Sequence, residues 1–424
     1  SVVIGYDCRF AGQLFAETAA RVFCAEGIKV YMGDKFASTP MVSLGAFELK
    51  AGHGVVITAS HNPASYNGYK LKANYGGPAI ASMVTAVEER IPELQALPAE
   101  SAADYVAEGL IEYIDLEEMY FQQIKAGFDL QAIYDSNIRV AYDAMYGAGQ
   151  SVFPRILPSA SLLHCEFNPS FNGQAPEPLH RNLGELSALI AGDEGIKLGI
   201  ANDGDADRIG MYDGSGNFVD SHHVILLLVH YLHHYKKMTG KVVIAFSVTD
   251  RVKKLCEHYG LTCQVTEIGF KHICEIMVKE DVLLGGEESG GIAIKGFIPE
   301  RDGIWIGLTL LEFMAKTGKS LEELIEEVYE IVGAFVFERN DLKLDNDLKL
   351  QIVENCKNNM YTSFGEYDVK RVETIDGHKF HLANEAWVMI RPSGTEPVLR
   401  VYAEAGSQAE VDAILAATKA TLLG

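Results

Sequence analysis

The feature that most constrains this chain is the repeated alternation of short apolar runs with amphipathic helical stretches. Residues 2–6 form the apolar run VVIGY, and apolar side chains then recur at helical spacing between residues 11 and 26. Gly27 is placed to end that helix, and a second apolar run begins at residue 28. This strand–helix–strand order predicts an α/β fold with largely parallel sheets.

The same unit begins again at "NIRVAYDAMYGAG" and at "KVVIAFSVTDRVKKLCEHYG". Ser320 and Glu323 have the spacing of a capping box, and the chain beyond them predicts an extended arm followed by short strands and one last helix. We therefore expect three similar α/β/α domains with mixed, largely parallel sheets and a smaller C-terminal α+β domain. The expected domains are residues 1–135, 136–237, 238–340 and 341–424.

Composition limits the compartment and the partners. The net charge of −22 over 424 residues argues against nucleic acid or a membrane surface as a partner, because both are anionic. An anionic substrate could bind only through a locally cationic pocket. The seven cysteines form no C-x-x-C pair, and no apolar run approaches the length of a membrane span. We expect a cytoplasmic protein with free thiols.

Polar loops follow four of the apolar runs. They lie in "VVITASHNP" (55–63), "KLGIANDGDADR" (197–208), "VLLGGEESGG" (282–291) and "VMIRPSGTEP" (388–397). Ligands of open α/β sheets bind beyond the carboxyl ends of the strands, so these four loops are predicted to meet in one cleft.

The second loop predicts a metal site. Asp203, Asp205 and Asp207 alternate along it, and three carboxylates so close together require a cation. Oxygen ligands favour Mg²⁺ or Ca²⁺. An EF-hand is excluded because its sixth and twelfth positions would be Arg208 and Gly214. A solvated acidic turn is the alternative, but an arginine beside a metal is typical of phosphoryl transfer.

The third and fourth loops suit a sugar and a phosphate. Arg391 and Ser393, with Gly394 and Thr395, resemble a phosphate cradle, although the same residues also form ordinary turns. Glu287, Glu288 and Ser289 could bind sugar hydroxyls or could form a charged turn.

The first loop contains a serine followed by a histidine. Ser60 and His61 do not form a hydrolase dyad, because neighbours on extended backbone point to opposite sides and no G-x-S-x-G motif is present. Pairing Ser60 with the aspartates and their metal makes it a candidate phosphoryl carrier. His61 is a catalytic candidate because it directly follows Ser60. Lys70 is either a surface lysine or a general acid/base whose pKa burial would lower.

A histidine-rich segment, "SHHVILLLVHYLHHYKK", has metal-like spacings between His230 and His233 or His234. Its apolar stripe favours an ordinary core-facing helix instead.

Taken together, "TASHNP", "DGDADR", "GEESG" and "RPSGTEP" resemble the α-D-phosphohexomutase family, which includes phosphoglucomutases and phosphomannomutases. The resemblance covers nearly the whole chain and implies a heart-shaped, four-domain α/β enzyme with a central cleft. Each domain would supply one loop.

The resemblance also implies roles for individual residues. Ser60 corresponds to a phosphoserine that also contacts Mg²⁺, and Asp203, Asp205 and Asp207 correspond to the Mg²⁺ ligands. Lys70 corresponds to a general acid/base, and Arg208 to the arginine beside the metal. The implied substrate contacts are Glu287 and Ser289 for the sugar hydroxyls and Lys271 as a substrate-binding lysine of the third domain. Arg391, Ser393, Gly394 and Thr395 would hold the phosphate that does not react.

The implied reaction interconverts hexose 1-phosphate and hexose 6-phosphate through a 1,6-bisphosphate, which also serves as activator. We expect glucose phosphate as the favoured substrate, with a phosphomannomutase as the alternative. A glucosamine-phosphate mutase is less favoured because those relatives tend to have GEQSG. A catalytically impaired sugar-phosphate-binding relative and a metal-dependent phosphatase also stay open, as does the choice between monomer and dimer. Many relatives have histidine where this chain has Gly291, which puts the role of that histidine in question.

Overall fold

The computed structural model describes residues 1–93, 96–393 and 398–424. Each of its first three large sheets has parallel strands in the middle and antiparallel strands at one edge, and the fourth is antiparallel throughout. We name the four units built on these sheets domains I to IV. The expectation of three α/β/α domains with mixed sheets and a smaller C-terminal domain is confirmed.

Domain I has the strand order β5-β4-β3-β1-β2-β6. Its strands are β1 (Val2–Tyr6), β2 (Val30–Gly33), β3 (His53–Ile57), β4 (Tyr69–Ala73), β5 (Gly77–Pro78) and β6 (Ile111–Ile114). Its helices are α1 (Gly12–Ala25), α2 (Thr39–Glu48), α3 (Ala81–Glu88), α4 (Ala102–Ala107), α5 (Leu116–Gly127) and α6 (Leu130–Asp135). Strand β1 and helix α1 match the sequence prediction, whereas β2 begins two residues later than predicted.

Domain II has the strand order β11-β10-β9-β7-β8. Its strands are β7 (Arg139–Asp143), β8 (Ser161–Leu163), β9 (Ile196–Asn202), β10 (Ile209–Tyr212) and β11 (Phe218–Val219), and its helices are α7 (Val152–Ile156) and α8 (Gly184–Gly192). Strand β9 is buried over most of its length and leads directly into the aspartate loop. Short 3₁₀ turns lie at Ala148–Gln150, Phe171–Gly173 and His180–Asn182.

Domain III has the strand order β13-β12-β14-β15. Its strands are β12 (Lys241–Ala245), β13 (Cys263–Thr266), β14 (Val282–Gly286) and β15 (Ile292–Ile294). Its helices are α9 (Ser221–Val229), α10 (Arg251–Tyr259), α11 (Phe270–Lys279), α12 (Gly303–Thr317) and α13 (Leu321–Val332). The predicted capping box at Ser320 and Glu323 is present at the start of α13. Helix α9 continues as a π-helical turn over His230–Tyr235, where the sequence predicted a regular helix.

Domain IV has the antiparallel strand order β16-β22-β21-β20-β19. Its strands are β16 (Val336–Lys343), β17 (Ser363–Phe364), β18 (Tyr367–Asp368), β19 (Arg371–Glu373), β20 (His378–His381), β21 (Trp387–Pro392) and β22 (Val398–Ala405), and its helices are α14 (Asn346–Lys357) and α15 (Gln408–Leu423). The predicted extended arm is β16, which pairs along its whole length with β22.

The apolar core explains how the four domains are joined. One continuous cluster of buried residues runs through domains I, II and III, whereas domain IV has a separate core. Domains III and IV meet around Phe246, Trp387 and Tyr402. The buried Lys379 ammonium of domain IV lies over the Trp387 and Phe246 rings, 4.3 and 4.9 Å from their centroids. In the described part of the chain, no helix is long and apolar enough to cross a membrane.

A buried ion pair fastens domain I to domain III. Lys72 Nζ donates a hydrogen bond of 2.6 Å to Glu300 Oε2, and the Ser43 hydroxyl donates one of 2.7 Å to the same oxygen. The two charged side chains are at most 2% exposed. A buried charge that loses its partner is far more costly than the same pair replaced by apolar groups.

We therefore expect Glu300→Ala to destabilise the protein by about 3–5 kcal/mol, because it leaves the Lys72 ammonium unpaired. The double variant Lys72→Met/Glu300→Leu should recover most of that loss. Urea unfolding followed by fluorescence measures both. A midpoint for Glu300→Ala equal to that of the wild type would contradict the assigned role.

Candidate active site

Ser60 lies in a strained turn directly beyond the buried strand β3. Its backbone has a φ of 52°, in the left-handed region, and its side chain is buried. The Ser60 N–H donates to Thr58 Oγ1 over 2.8 Å, and the Thr58 hydroxyl donates to Asp7 Oδ2 over 2.6 Å. A non-glycine residue held in this conformation is costly, so the surrounding contacts must fix it.

Arg9 supplies most of those contacts, and the sequence prediction missed it. Its guanidinium donates to the carbonyl oxygens of Ser60 (2.6 Å), Asn62 (2.7 Å), Pro63 (2.8 Å) and Tyr66 (3.1 Å). The Arg9 side chain is completely buried and pairs with Asp7 at 3.2 Å. The only hint in the sequence was an arginine two residues after Asp7 at the end of a strand.

The three aspartates converge on the serine. Ser60 Oγ donates a hydrogen bond of 2.7 Å to Asp203 Oδ2, and the Arg208 N–H donates one of 3.0 Å to Asp203 Oδ1. Carboxylate oxygens of Asp203, Asp205 and Asp207 lie within 4.8 Å of one another, and all three side chains are fully buried. Ala206 turns the loop with a φ of 56°.

This arrangement fits a hard divalent cation. The Oδ1 atoms of Asp205 and Asp207 are buried and accept no hydrogen bond from the described residues. Burial, together with the charges of Asp205 and Asp207, raises the pKa of Asp203 well above its ordinary value. The protein alone therefore does not neutralise the cluster, and its oxygen ligands are those that Mg²⁺ prefers.

Lys70 reaches the cluster from the edge of domain I. It lies on β4, and its Nζ is 3.0 Å from Asp205 Oδ2 and 4.0 Å from Asp207 Oδ2. The expected fall in its pKa is wrong for this geometry. Burial alone would lower the pKa of Lys70, but Asp205 and Asp207 outweigh it and raise the pKa above its ordinary value. Lys70 is therefore a protonated ammonium here.

Asp205 takes two further hydrogen-bond donors. The Thr39 hydroxyl donates to its Oδ2 over 2.6 Å, and Lys70 donates to the same atom. Burial would raise the pKa of Asp205, but Lys70 and Thr39 lower it. Asp205 thus stays ionised, whereas the raised pKa of its neighbour Asp203 favours the neutral carboxyl.

Ser60 opens onto a cleft of about 420 Å³, which is within the range of about 300–1,000 Å³ typical of small-molecule sites. His61, Lys70, Arg208 and Arg301 line it. His61 Nδ1 is buried and has no hydrogen-bond partner among the described residues. Burial, followed by the charge of Arg208, lowers the pKa of His61 to about 3, so the ring is neutral.

Arg208 and Arg301 make this cleft cationic, although the whole chain is strongly acidic. Arg208 pairs weakly with Glu177 at 3.9 Å. Arg301, which the sequence prediction also missed, donates to Asp207 Oδ2 and lies 3.7 Å from Glu287 Oε2. Arg301 therefore connects the aspartate loop of domain II to the GEESG loop of domain III.

Gly291 makes room for Arg301. A Cβ at Gly291 would lie 2.4 Å from Arg301 Cδ, which is closer than atoms can approach. The absence of a side chain at Gly291 is thus what lets Arg301 reach Asp207.

The GEESG loop follows β14 at its carboxyl end. Glu287 Oε1 accepts a hydrogen bond of 3.0 Å from the Gly269 N–H, and burial raises the pKa of Glu287. Ser289 is partly exposed. Glu288 has other partners, because its Oε2 accepts from Ser247 Oγ over 2.7 Å and its Oε1 lies 3.8 Å from Arg339.

The remaining predicted residues lie on domains III and IV. Lys271 is exposed in the first turn of α11, two residues after Gly269. Arg391 lies on β21, and its Nε donates to Asp376 Oδ1 over 3.1 Å. The carbonyl oxygen of Ser393 accepts from Lys349 Nζ over 2.9 Å. Gly394 and Thr395 lie outside the described residues.

The histidine-rich segment has structural contacts. His230 lies 2.5 Å from the Tyr259 hydroxyl and 3.0 Å from Glu327 Oε2. His223 lies between Asp220 and Tyr329. Within the described ranges, the aspartate triplet is the one group with the geometry of a metal site.

Family models match all four domains. They are the models of phosphoglucomutase/phosphomannomutase α/β/α domain I over residues 1–97, domain II over 118–216, domain III over 220–332 and the C-terminal domain over 342–420.

Individual proteins are similar over nearly the whole chain. A "Probable phosphoglucosamine mutase" of Methanothermobacter thermautotrophicus is 30% identical over 95% of this chain and 85% of its own length. The "Phosphoglucomutase/phosphomannomutase" of Thermococcus kodakarensis is 27% identical over 96% of this chain and 86% of its own. A crystal structure from Thermus thermophilus that carries the name phosphomannomutase has a TM-score of 0.86 and 33% identity, and covers 100% of this chain and 90% of that one.

Binding of Mg²⁺ can be tested at the aspartates without any substrate. We expect Mg²⁺ to raise the thermal midpoint of the wild type, since the ion binds only the folded protein. Asp203→Asn should abolish that rise. Because the buried Asp203 carboxyl is pushed toward its neutral form, the metal-free variant should be at least as stable as the metal-free wild type.

Asp193→Asn is the matched control. Asp193 lies in the same domain near the opposite end of β9 and pairs with Arg139 at the surface. Scanning calorimetry with and without Mg²⁺ measures all three proteins. An unchanged Mg²⁺ response in Asp203→Asn would place the ion elsewhere.

Proposed function

Since this chain belongs to the phosphoglucomutase/phosphomannomutase family of phosphohexomutases, we propose that it interconverts hexose 1-phosphate and hexose 6-phosphate through a phosphorylated Ser60. The observation that carries the proposal is the contact of Ser60 Oγ with Asp203 at the mouth of a cationic cleft. A hydroxyl facing three carboxylates is suited to carry a phosphoryl group only when a cation is bound with it.

The proposed metal ligands are Asp203, Asp205, Asp207 and the Ser60 oxygen. A bound Mg²⁺ would neutralise charge on the phosphoryl oxygens. The chain itself supplies Arg208 and Arg301, whose guanidinium groups line the cleft and can hold those oxygens through paired N–H donors.

Phosphoryl transfer then proceeds as follows. The free hydroxyl oxygen of the hexose phosphate forms a bond to phosphorus as the bond from phosphorus to Ser60 Oγ breaks, which yields a hexose 1,6-bisphosphate. The net proton movement is from the substrate hydroxyl to Ser60 Oγ. Lys70, protonated beside Asp205, is the proposed carrier: it donates to the departing oxygen and recovers the proton of the attacking hydroxyl. The pKa of His61 is lowered to about 3, which makes it a weak base, and we assign no proton transfer to it.

The bisphosphate then reorients and returns its other phosphoryl group to Ser60. During both half-reactions the second phosphate must be held. We assign that role to Arg391, Ser393, Gly394 and Thr395, and the binding of the sugar ring to Glu287, Ser289 and Lys271. Free hexose 1,6-bisphosphate would also phosphorylate Ser60 and so act as activator.

For the sugar we propose glucose phosphate first and mannose phosphate as the alternative. The two relatives and the crystal structure described above carry glucose, mannose and glucosamine names. The sequence argument against glucosamine depended on Glu288, yet that carboxylate faces Ser247 and Arg339. A glucosamine phosphate is therefore included in the substrate test.

The seven free cysteines support a reducing, cytoplasmic location.

Ser60→Ala should abolish conversion of glucose 1-phosphate to glucose 6-phosphate, because no oxygen is left to carry the phosphoryl group. A coupled assay with Mg²⁺ and trace glucose 1,6-bisphosphate measures it, with mannose 1-phosphate and glucosamine 1-phosphate run in parallel. Intact mass should show one phosphate on the wild type and none on the variant. Near-normal turnover by Ser60→Ala would contradict the mechanism, and release of free phosphate would indicate a phosphatase.

Gly291→Ala should lower kcat/KM by roughly tenfold or more, because the new methyl group displaces Arg301 from Asp207 and Glu287. Gly192→Ala is the control, since a Cβ there meets no atom of the described part of the chain within 4 Å. The same coupled assay, with thermal midpoints to verify folding, decides the point. Equal activity of Gly291→Ala and the wild type would contradict a role of Arg301 in the reaction.

A further inference from the structure

Asp376 connects strand β21 of domain IV, which carries Arg391, to the loop 267–271 of domain III. It lies in the turn between β19 and β20. Its Oδ1 accepts a hydrogen bond of 3.1 Å from Arg391 Nε, and its Oδ2 accepts one of 3.0 Å from the Ile268 N–H. The two oxygens of one carboxylate thus hold groups from two different domains.

The turn that carries Asp376 is packed tightly against Arg391. Gly377 has a φ of 92°, and a Cβ there would lie 2.8 Å from the Ile390 oxygen and 3.1 Å from Arg391 Cβ. The position of Asp376 relative to the strand is therefore fixed by backbone contact. The Nη groups of Arg391 donate to none of the described residues, so Asp376 occupies the Nε side and leaves the fork of the guanidinium available.

The contacts of Asp376 continue from the loop 267–271 to the aspartate loop of domain II. Gly269, next to Ile268, donates its N–H to Glu287 Oε1, and Glu287 lies 3.7 Å from Arg301 Nη1. Arg301 in turn contacts Asp207. A chain of hydrogen bonds and ion pairs therefore runs from the proposed phosphate clamp to the aspartate cluster. Among the described residues, Asp376 accepts the only hydrogen bond that joins domain IV to the loop 267–271, and Ile268 also packs against the apolar cluster around Trp387 and Tyr402.

Domain IV does not depend on Asp376 for its attachment. Lys379 is buried between domains III and IV beside Phe246 and Trp387, and its Nζ lies 3.7 Å from Asp250. Arg251 of domain III also pairs with Glu385. Loss of the partly exposed Asp376 carboxylate should therefore leave the domain in place and change only the orientation of Arg391 and of the loop 267–271.

We propose that Asp376 is a positioning residue, which orients Arg391 toward the phosphate that does not react and holds the loop that carries Lys271 and contacts Glu287. The inference rests on the proposed function. A carboxylate on Nε restricts the guanidinium to one plane, so that both Nη donors meet the phosphate together. Because the same carboxylate also binds the loop 267–271, Arg391 and that loop keep a fixed position relative to each other whichever phosphate of the bisphosphate is bound by Arg391.

Asp376→Ala should raise KM for glucose 1-phosphate roughly tenfold or more while kcat stays within about threefold, because the clamp holds the part of the substrate that is unchanged between ground and transition states. Asp376→Asn, which keeps one acceptor oxygen, should recover part of the loss. Asp368→Asn is the matched control, since Asp368 is an exposed carboxylate of the same domain whose one ionic partner among the described residues is Lys370 at 3.8 Å.

A double-variant cycle separates positioning from a general structural effect. Arg391→Ala/Asp376→Ala should have a KM only modestly above that of Arg391→Ala, because the contact with Ile268 is the one role of Asp376 that does not pass through Arg391. Additive effects, or an unchanged KM in Asp376→Ala, would overturn the proposal. A parallel fall of kcat and of the thermal midpoint without recovery in Asp376→Asn would also overturn it.

Binding of inorganic phosphate, measured by calorimetry, keeps this test separate from the proposed function. If the wild type shows no mutase turnover, the proposed function fails, and the phosphate affinity still decides the role of Asp376. Affinity roughly tenfold weaker in Asp376→Ala than in Asp368→Asn would support it, and equal affinities would overturn it.

Discussion

The structure depends on one electrostatic constraint: three carboxylates are buried side by side at the end of strand β9. Such a cluster is stable only if cations surround it. Domain I supplies Lys70, domain III supplies Arg301, and domain II supplies the backbone N–H of Arg208. The cluster is therefore a point where three domains meet, and the Ser60 hydroxyl of domain I donates a hydrogen bond to it.

This constraint explains why the first three domains share a continuous core while the fourth has its own. Groups that offset part of the aspartate charge must stay within hydrogen-bond distance, so their domains are fastened by buried contacts such as Lys72 with Glu300. Domain IV carries no ligand of the cluster among its described residues. It binds domain III through Lys379 and through Asp376, which leaves the proposed phosphate clamp coupled to the site without being part of its core.

Several residues show how far the sequence could lead. The first three loops follow strands in the predicted places, and the aspartate spacing predicted the carboxylate cluster, although the loop turns at Ala206 instead of staying extended. The role of Lys70 could be suggested, but its pKa could not, since that depends on two carboxylates from another domain. Arg9 and Arg301 were missed because an arginine after a strand has no pattern that distinguishes a surface residue from one buried among carbonyl or carboxylate oxygens. Glu288 was given weight as part of a motif, yet its side chain accepts a hydrogen bond from Ser247.

The sequence by itself determined the alternation of strands and helices, the capping of α13, the extended arm β16 and the types of side chain at each strand end. These follow from local periodicity and from backbone chemistry, which neighbouring residues decide. Only the tertiary structure decided which side chains meet: Arg9 with the Ser60 loop, Arg301 with Asp207 above Gly291, and Asp376 with both Arg391 and Ile268. The reason is physical, because burial and the charges of distant neighbours set the hydrogen bonds and the pKa of each group, and both arise only when the domains pack together.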